Sequence, residues 1–231
     1  MEDQLKQLIE EVYVQKNLAQ RAQLKQLQAQ INPHFLYNSF FILSRRIKRG
    51  DIEGSEEFAK HLGNYFKYLT RDAADDVPLQ REVEHATSYA AIQGARFAGR
   101  IRVEFGELPK EAAGILVPRL ILQPILENAF RYGLENKTEQ GLLRIDFRQT
   151  EEVLEIVVED NGEEATDECI EKMKNSLKED SGAEVTGLIN IHRRLQIYFG
   201  SEYGIYVERS QIGGVAIKMR IPQVVKMQIK Q

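Results

Sequence analysis

The stretch that decides the fold is Leu143-Arg144-Ile145-Asp146-Phe147, followed after a short polar turn by the apolar run at residues 153–158. The first part alternates apolar and charged residues, which is typical of a strand with one buried face. The turn contains Thr150-Glu151-Glu152 and joins the two segments as a predicted hairpin.

Further strands and helices flank this hairpin in the sequence. Short strand-like segments occur at residues 101–105, 204–209 and 215–221, and the last two form a second predicted hairpin. Apolar residues at three- and four-residue spacing predict helices at about residues 55–71, 78–97, 120–132, 166–177 and 188–199. Because helices and hairpin-linked strands are interleaved, we expect an α+β sandwich with helices on one face of a largely antiparallel sheet.

The N-terminal part of the chain has a different pattern. Residues 1–32 are rich in good helix formers, and their apolar stripe continues through Phe35. Pro33 interrupts this helix, and Gly50-Asp51 ends it before the helix at residues 55–71 begins. Two amphipathic helices joined by a short turn predict an antiparallel helical hairpin.

A linker-like segment at residues 73–78 suggests where the chain divides. We therefore expect one domain at residues 1–75, containing the signalling helix and the helical hairpin. The second expected domain, at residues 76–231, contains the sheet and the remaining helices.

The composition is that of a globular protein. The chain has 231 residues, of which 42% are apolar and 29% are charged, and these values exclude an intrinsically disordered chain. The net charge of −4 gives the whole chain no electrostatic reason to bind nucleic acid. The single Cys169 excludes an internal disulfide and fits a reducing compartment. No apolar run reaches the ~18 residues that a membrane span needs.

Positive charge is concentrated near the N-terminus. Between Val12 and Gly50 the chain has no acidic residue and seven Lys or Arg residues. This segment is either a docking surface for an anionic partner or a solvated helix face that is basic without further consequence.

His34 lies in the segment Asn32-Pro33-His34-Phe35-Leu36-Tyr37-Asn38. A neutral imidazole can attack a phosphoryl group through a ring nitrogen, so His34 is a candidate nucleophile. The alternative is a helix histidine that is satisfied by a neighbour. The preceding proline, the cationic surroundings and Asn38 one turn later favour the first interpretation.

A pair of polar residues interrupts the apolar helix predicted at residues 120–132. Glu127 and Asn128 require partners if they are buried. Asn128 offers a neutral oxygen that suits Mg²⁺, and Arg131 lies on the same helix face and can contact a phosphate. The segment can also be an ordinary helix C-terminus that is capped by Gly133, and the two interpretations are compatible.

Two glycine-containing segments complete the candidate site. Asp160-Asn161-Gly162 follows a predicted strand, where the aspartate can accept a hydrogen bond from an exocyclic amine; the same residues also form ordinary turns. Gly187-Leu188 opens a predicted helix that carries Asn190 and Arg194, and the free amides of a helix N-terminus can bind an anion.

The order of these segments resembles that of the sensor histidine kinases of the LytS/YesM type, which join a histidine-kinase helical module to a GHKL ATP-binding domain. The resemblance covers about residues 20–222, and its most specific part is the segment around His34, which resembles the phosphoacceptor box. Residues 124–133 resemble the N box. This implies that Asn128 binds Mg²⁺, that Glu127 is a base or orienting residue, and that Arg131 and Tyr132 lie at the nucleotide.

The remaining boxes extend the resemblance. Asp160-Asn161-Gly162 resembles the first glycine box, with Asp160 binding adenine beside Gly162. Residues 187–195 resemble the second, with Gly187, Leu188, Asn190 and Arg194 at the nucleotide, and Gly213-Gly214 resembles the last glycine turn. The implied cofactors are ATP and Mg²⁺, and the implied product is a phosphohistidine at His34.

The same resemblance implies partners. The first two helices would form a four-helix bundle in a homodimer, and the phosphoryl group would pass to an aspartate of a response-regulator receiver domain. It also implies a membrane sensor region before residue 1, so that this chain would be the cytoplasmic part of a bacterial inner-membrane protein.

The chain departs from the family pattern in the expected lid at residues 163–186. Glu164 and Glu184-Val185 stand where glycine or another small residue is usual. Carboxylates repel a triphosphate and a β-branched residue resists positive φ, so these changes predict weak ATP binding. The alternative function is therefore a nucleotide-weak, non-catalytic dimeric relay, a pseudokinase of the same fold. A third interpretation is a GHKL ATPase that is not a phosphotransferase, but this interpretation assigns no role to the segment around His34.

Overall fold

The structure is a computed structural model that describes residues 33–71, 75–97, 99–163, 165–178 and 187–223. The chain divides into two compact units, Met1–Ile52 and Glu53–Gln231. The helix predicted over residues 1–32 lies outside the described residues, as do the lid residues at 164 and 179–186. None of the helices in the described ranges is long and apolar enough to cross a membrane.

In the first unit the described helix is α1 (Pro33–Lys48). It ends in a Schellman motif, in which Gly50 has a φ of 75°. The Gly50 amide donates to the carbonyl of Ile47 at 3.0 Å, and the Asp51 amide donates to the carbonyl of Arg46 at 3.1 Å. The helix end predicted at Gly50-Asp51 is therefore confirmed.

The chain then continues with helices and strands in alternation. In order they are α2 (Ile52–Arg71), β1 (Asp76–Pro78), α3 (Leu79–Arg96), β2 (Ile101–Phe105), β3 (Leu116–Pro118), α4 (Gln123–Asn128), a π-helical segment (Ala129–Leu134), β4 (Gly141–Gln149), β5 (Val153–Asp160), α5 (Asp167–Lys178), α6 (Gly187–Phe199), β6 (Gly204–Arg209) and β7 (Val215–Pro222). The main sheet has the order β2-β4-β5-β7-β6. Only the β2–β4 pair is parallel within it, so the predicted α+β fold with a largely antiparallel sheet is confirmed.

One face of the main sheet is apolar and buried. The register pairs Val158 of β5 with Ile145 of β4 and Ile217 of β7, and all three are buried. Helices α3, α5 and α6 and the π-helical segment pack against the sheet. Because strand residues alternate between faces, Asp160 shares the apolar face with Val158 and points its carboxylate toward the helical layer.

The opposite face of the sheet carries ion pairs between neighbouring strands. Arg144 of β4 lies 3.2 Å from Glu104 of β2 and 3.4 Å from Glu159 of β5. Lys218 of β7 pairs with Glu208 of β6. The sheet is therefore covered by helices on one side and by a charged layer on the other, as the alternation in β4 predicts.

Helix α2 packs on α3 through aromatic residues. Tyr65 and Tyr68 both stack against the ring of His85, with centroids 5.0 and 4.2 Å away. His85 lies on α3, so α2 is held in the same compact unit as the sheet.

Two local predictions were wrong. Asp76–Pro78, predicted as part of a linker, is strand β1 and pairs with β3 through Val77 and Val117. The helix predicted at residues 120–132 begins only at Gln123, because Leu120 has a φ of 56°, which no α-helix accommodates. It then changes to π-helix from Ala129 to Leu134.

Candidate nucleotide and phosphoacceptor site

Asp160 is the centre of the candidate nucleotide site. Its Oδ1 accepts the amide of Gly162 at 2.8 Å and the amide of Val215 at 3.4 Å. These are the hydrogen bonds that its side chain accepts among the described residues, so Oδ2 is left for a ligand. Burial raises the pKa of Asp160 above its ordinary value, although the two amides oppose this shift.

Three glycines allow the backbone to approach Asp160 closely. A Cβ at Gly133 would lie 2.6 Å from the carboxylate, and one at Gly162 would lie 2.5 Å from the carbonyl oxygen of Gly133. A Cβ at Gly214 would overlap Oδ1 of Asp160. Gly133 lies inside the π-helical segment rather than after its end, so its predicted role as a helix cap is wrong. Its role is to make room for Asp160.

Helix α4 brings Glu127 and Asn128 to the same region. Asn128 is half-buried at the last position of α4. Glu127 accepts a hydrogen bond from Nε2 of Gln123 at 2.7 Å. Glu127 is exposed, but partial loss of hydration at its carboxyl group raises its pKa, and Gln123 and Arg131 oppose that shift. Arg131 is exposed and stacks on the exposed Tyr132, with its guanidinium 5.3 Å from the ring centroid.

A buried carboxylate fixes the start of α4. Glu82 of α3 accepts the backbone amides of Leu120, Ile121 and Leu122 at 2.7, 2.9 and 3.3 Å. Tyr68 also donates its hydroxyl to Glu82. Amides that precede a helix have no intrahelical acceptor, so this carboxylate satisfies them and stabilises the turn at Leu120.

The first residue of α4 is held by side chains from two other helices. Oε1 of Gln123 lies 2.8 Å from Nε2 of His85, and Nε2 of Gln123 lies 3.3 Å from the hydroxyl of Tyr65. Burial lowers the pKa of His85 to about 4, so this histidine is neutral at physiological pH.

Helix α6 begins beside α4. A Cβ at Gly187 would lie 3.4 Å from Cβ of Pro124, which places the α6 N-terminus against the first turn of α4. Leu188 is buried, whereas Asn190 and Arg194 are exposed. Gly187, at the N-terminus of α6, therefore lies close to α4, the helix that carries Glu127 and Asn128. An anion site between α4 and α6 requires this proximity.

His34 lies in the other unit, on α1, and its side chain is exposed. Nδ2 of Asn38 is 3.4 Å from its ring nitrogens. The other histidines are less accessible: His61 and His192 are half-buried and His85 is 3% exposed. Nδ1 of His192 also accepts the amide of Ile205 at 3.0 Å. His34 is therefore the histidine that a phosphoryl donor can reach most easily.

Sequence reasoning did not find Glu82, His85 or Gln123. Glu82 and His85 fall in the helix predicted at residues 78–97, and Gln123 falls in the helix predicted at residues 120–132, where none of them has a predicted role. A signal was present for Glu82 and His85, because both lie on the apolar face of α3, and a buried charged residue requires a partner. The identity of that partner depends on contacts 38 to 40 residues away in the chain.

Comparison with known proteins identifies relatives of this chain. The family model described as "Histidine kinase" matches residues 22–101. The sensor histidine kinase YesM of Bacillus subtilis is 31% identical over 222 residues, which cover 96% of this chain and 37% of that protein. The sensor protein LytS of Bacillus cereus is 31% identical over 214 residues, which cover 92% of this chain and 36% of that protein.

The chain therefore belongs to the histidine kinase family. It spans little more than a third of the length of these curated relatives. Among solved structures, the ATP binding domain of PrrB from Mycobacterium tuberculosis aligns with a TM-score of 0.43 and 18% identity, covering 65% of this chain and 98% of that chain.

Proposed function

We propose that this chain is the catalytic region of a sensor histidine kinase that transfers the γ-phosphoryl group of ATP to His34. The observation that carries the proposal is the environment of Asp160. Its carboxylate is enclosed by glycines, has one oxygen left for a ligand and lies on the face of the sheet against which the π-helical segment after α4 packs. A carboxylate oxygen in such a site can accept a hydrogen bond from the adenine amine.

The other residues of the site then have distinct roles. The amides at the start of α6, from Gly187 and Leu188, would bind phosphate oxygens, and Asn190 and Arg194 lie on the exposed side of the same helix. Arg131 would offset the charge of the phosphates, and Tyr132 would lie beside the nucleotide. Asn128 fits Mg²⁺ because it offers a half-buried neutral oxygen to an ion that also relies on substrate phosphates. The ion would neutralise charge on the phosphates during transfer.

In the proposed reaction His34 attacks the γ-phosphorus in line through one ring nitrogen. The N–P bond forms while the bond to the β–γ bridging oxygen breaks, and ADP leaves with that oxygen. The other ring nitrogen then loses its proton, for which Glu127 is the candidate acceptor. The raised pKa of Glu127 brings it closer to the pH at which a base is most effective.

We further propose the assembly in which this reaction takes place. Residues 1–75 would form the dimerisation and phosphoacceptor module, and residues 76–231 the GHKL-type ATP-binding domain. Tyr37, Phe40, Phe41 and Ile47 form an exposed apolar stripe on α1, which favours a homodimer through a four-helix bundle. A response-regulator receiver domain would accept the phosphoryl group, and a membrane sensor region would precede this cytoplasmic part.

A labelling experiment tests the proposed function. The chain is incubated with γ-labelled ATP and Mg²⁺, and we expect label that is stable to base and labile to acid, as phosphohistidine is. His34→Gln should abolish this label and leave ATP affinity unchanged by calorimetry. His192→Gln is the matched control and should retain it. Label that persists in His34→Gln would overturn the assignment of the acceptor. The absence of label in the unmodified chain would overturn the proposed kinase activity.

The non-catalytic relay depends on Glu164, Glu184 and Val185, which lie outside the described residues. No observation in the described ranges favours it. The labelling experiment separates it from the kinase, because a relay would take up no label.

A further inference from the structure

Asn161 is the middle residue of the turn that carries the candidate adenine-binding carboxylate. Asp160 ends strand β5, and its Oδ1 accepts the amide of Gly162 across this turn at 2.8 Å. The last residue pair between β4 and β5 joins Leu143 to Asp160, so regular strand pairing ends one residue before Asn161. The backbone of the turn therefore needs other contacts to hold it.

The side chain of Asn161 continues the pairing where the strand ends. The backbone amide of Asn161 donates to the carbonyl of Leu142 at 3.2 Å, as in a regular antiparallel pair. The return bond differs, because the amide of Leu142 donates to the side-chain Oδ1 of Asn161 at 2.8 Å rather than to its backbone carbonyl. The side chain thus replaces one backbone group of the ladder, and the backbone can leave the strand at this residue.

A second hydrogen bond from the same side chain reaches the residue before β4. Nδ2 of Asn161 donates to the carbonyl of Gln140 at 2.8 Å. Gln140 has a φ of 53°, a conformation that a residue with a side chain adopts only where its surroundings hold it. Because a backbone carbonyl only accepts and a backbone amide only donates, the side-chain amide of Asn161 has one possible orientation between residues 140 and 142.

We propose that Asn161 is a positioning residue for adenine recognition: it ties the turn at residues 160–162 to the start of β4 and so holds Oδ2 of Asp160 toward the adenine amine. This inference rests on the proposed function, in which that oxygen accepts a hydrogen bond from the amine. Asn161 acts through Asp160, since the oxygen and the nitrogen of its own side chain both bind backbone groups of the protein.

The test compares two nucleotides that differ in the recognised group. Purine riboside triphosphate lacks the exocyclic amine of ATP and keeps its ribose and phosphates. In the unmodified chain we expect calorimetry to show roughly tenfold tighter binding of ATP, the factor that one hydrogen bond to a carboxylate supplies. In Asn161→Ala this ratio should fall to about twofold or less, because the Asp160 carboxylate is no longer held toward the amine. A merely structural role would weaken both nucleotides equally and leave the ratio unchanged.

Thr150→Val is the matched control. The hydroxyl of Thr150 donates to the carbonyl of Val153 and accepts its amide, both at 3.1 Å, in the turn at the opposite end of β4 and β5. This variant removes the same kind of side chain–backbone contact from the same pair of strands, at the end remote from Asp160. The preference for ATP should therefore remain roughly tenfold in Thr150→Val.

Amide hydrogen exchange of the nucleotide-free chain provides a second readout. In Asn161→Ala the amides of Leu142 and Gly162 should both exchange faster, by roughly tenfold, because one loses its acceptor and the turn that holds the other is released. If Asn161→Ala does not fold, Asn161→Asp carries the nucleotide ratio and the exchange at Gly162. It keeps the acceptor for Leu142 but sets a carboxylate oxygen against the carbonyl of Gln140, and its added charge acts on both nucleotides alike.

The outcomes separate this inference from the proposed function. An unchanged nucleotide ratio in Asn161→Ala, or unchanged exchange at Gly162, overturns the positioning role even if the chain is an active kinase. Equal binding of the two nucleotides by the unmodified chain overturns the adenine-binding role of Asp160, and the positioning role with it. A ratio that falls in Asn161→Ala and is kept in Thr150→Val supports both.

Discussion

Replacing the buried Glu82 with Gln tests how the start of α4 is held. Glu82 is completely buried, and its carboxylate accepts the amides of Leu120, Ile121 and Leu122. Oε1 accepts the first, and Oε2 accepts the other two. We predict that Glu82→Gln, a nearly isosteric change, markedly lowers the free energy of unfolding.

The magnitude follows from the geometry of the acceptors. Glutamine offers one oxygen and one NH₂ group, so in either orientation the NH₂ group faces at least one backbone amide. A hydrogen bond to a charged group contributes ~1.5–3 kcal/mol, and an unsatisfied buried amide costs ~1–3 kcal/mol. Removing the desolvation cost of a buried charge offsets part of this loss. We expect the free energy of unfolding to fall by about 3 kcal/mol.

The assay is urea unfolding, with Glu84→Gln as the control. Glu84 lies on the same helix and is exposed, and among the described residues its side chain contacts Gln80 at 3.1 Å and Arg81 at 3.6 Å. Its replacement should change stability by less than about 0.5 kcal/mol. Amide hydrogen exchange at residues 120–122 should also be faster in Glu82→Gln. Equal stabilities of the two variants would refute the anchoring role.

Three further substitutions test the nucleotide site. Gly214→Ala should abolish ATP binding because its Cβ would overlap Asp160, whereas Gly114→Ala, whose Cβ meets nothing within 4 Å, should not. Equal ATP affinities of the two variants by calorimetry would contradict the role of Gly214 beside Asp160. Asp160→Asn can keep both backbone hydrogen bonds through Oδ1 but places NH₂ at the ligand oxygen, so it should lose ATP. Burial raises the pKa of Asp160 in the folded state, so protonated Asp160 favours folding, and this contribution to the free energy of unfolding is lost as pH rises above 3.8. Urea unfolding of Asp160→Asn across the mildly acidic range should not show this loss. Asn128→Asp should weaken Mg²⁺-dependent ATP binding without unfolding the chain, and unaltered affinity would remove Asn128 from the site.

The sheet could be predicted because its determinants are local. Strand β2 has the predicted bounds, Ile101–Phe105, since one alternating segment between polar flanks specifies it. Strand β5, predicted to end at Val158, extends to Asp160 in the structure, and its alternation places Asp160 on the face of Val158. Where one short segment determines both the strand and the direction of its side chains, both can be predicted from the sequence.

The start of α4 could not be predicted from local pattern. Residues 120–122 have the apolar character of a helix, yet Leu120 has positive φ and the helix begins at Gln123. The turn is stabilised by Glu82, which lies about 40 positions earlier in the chain. Gly133 is a similar case, because only the approach of Asp160 explains why this position has no side chain.

Helix α4 is too short to be stable by itself, because six residues form few intrahelical hydrogen bonds. Its position must come from its neighbours, and the contacts are distributed along it. Glu82 holds the amides before its first turn, His85 holds Gln123 at its first position, and Asp160 packs on Gly133 after its last turn. Glu127 and Asn128 lie between these contacts. The contacts that make this segment fold are therefore the same contacts that place the candidate base and the candidate metal ligand, so a mutation at any of them should alter stability and nucleotide chemistry together.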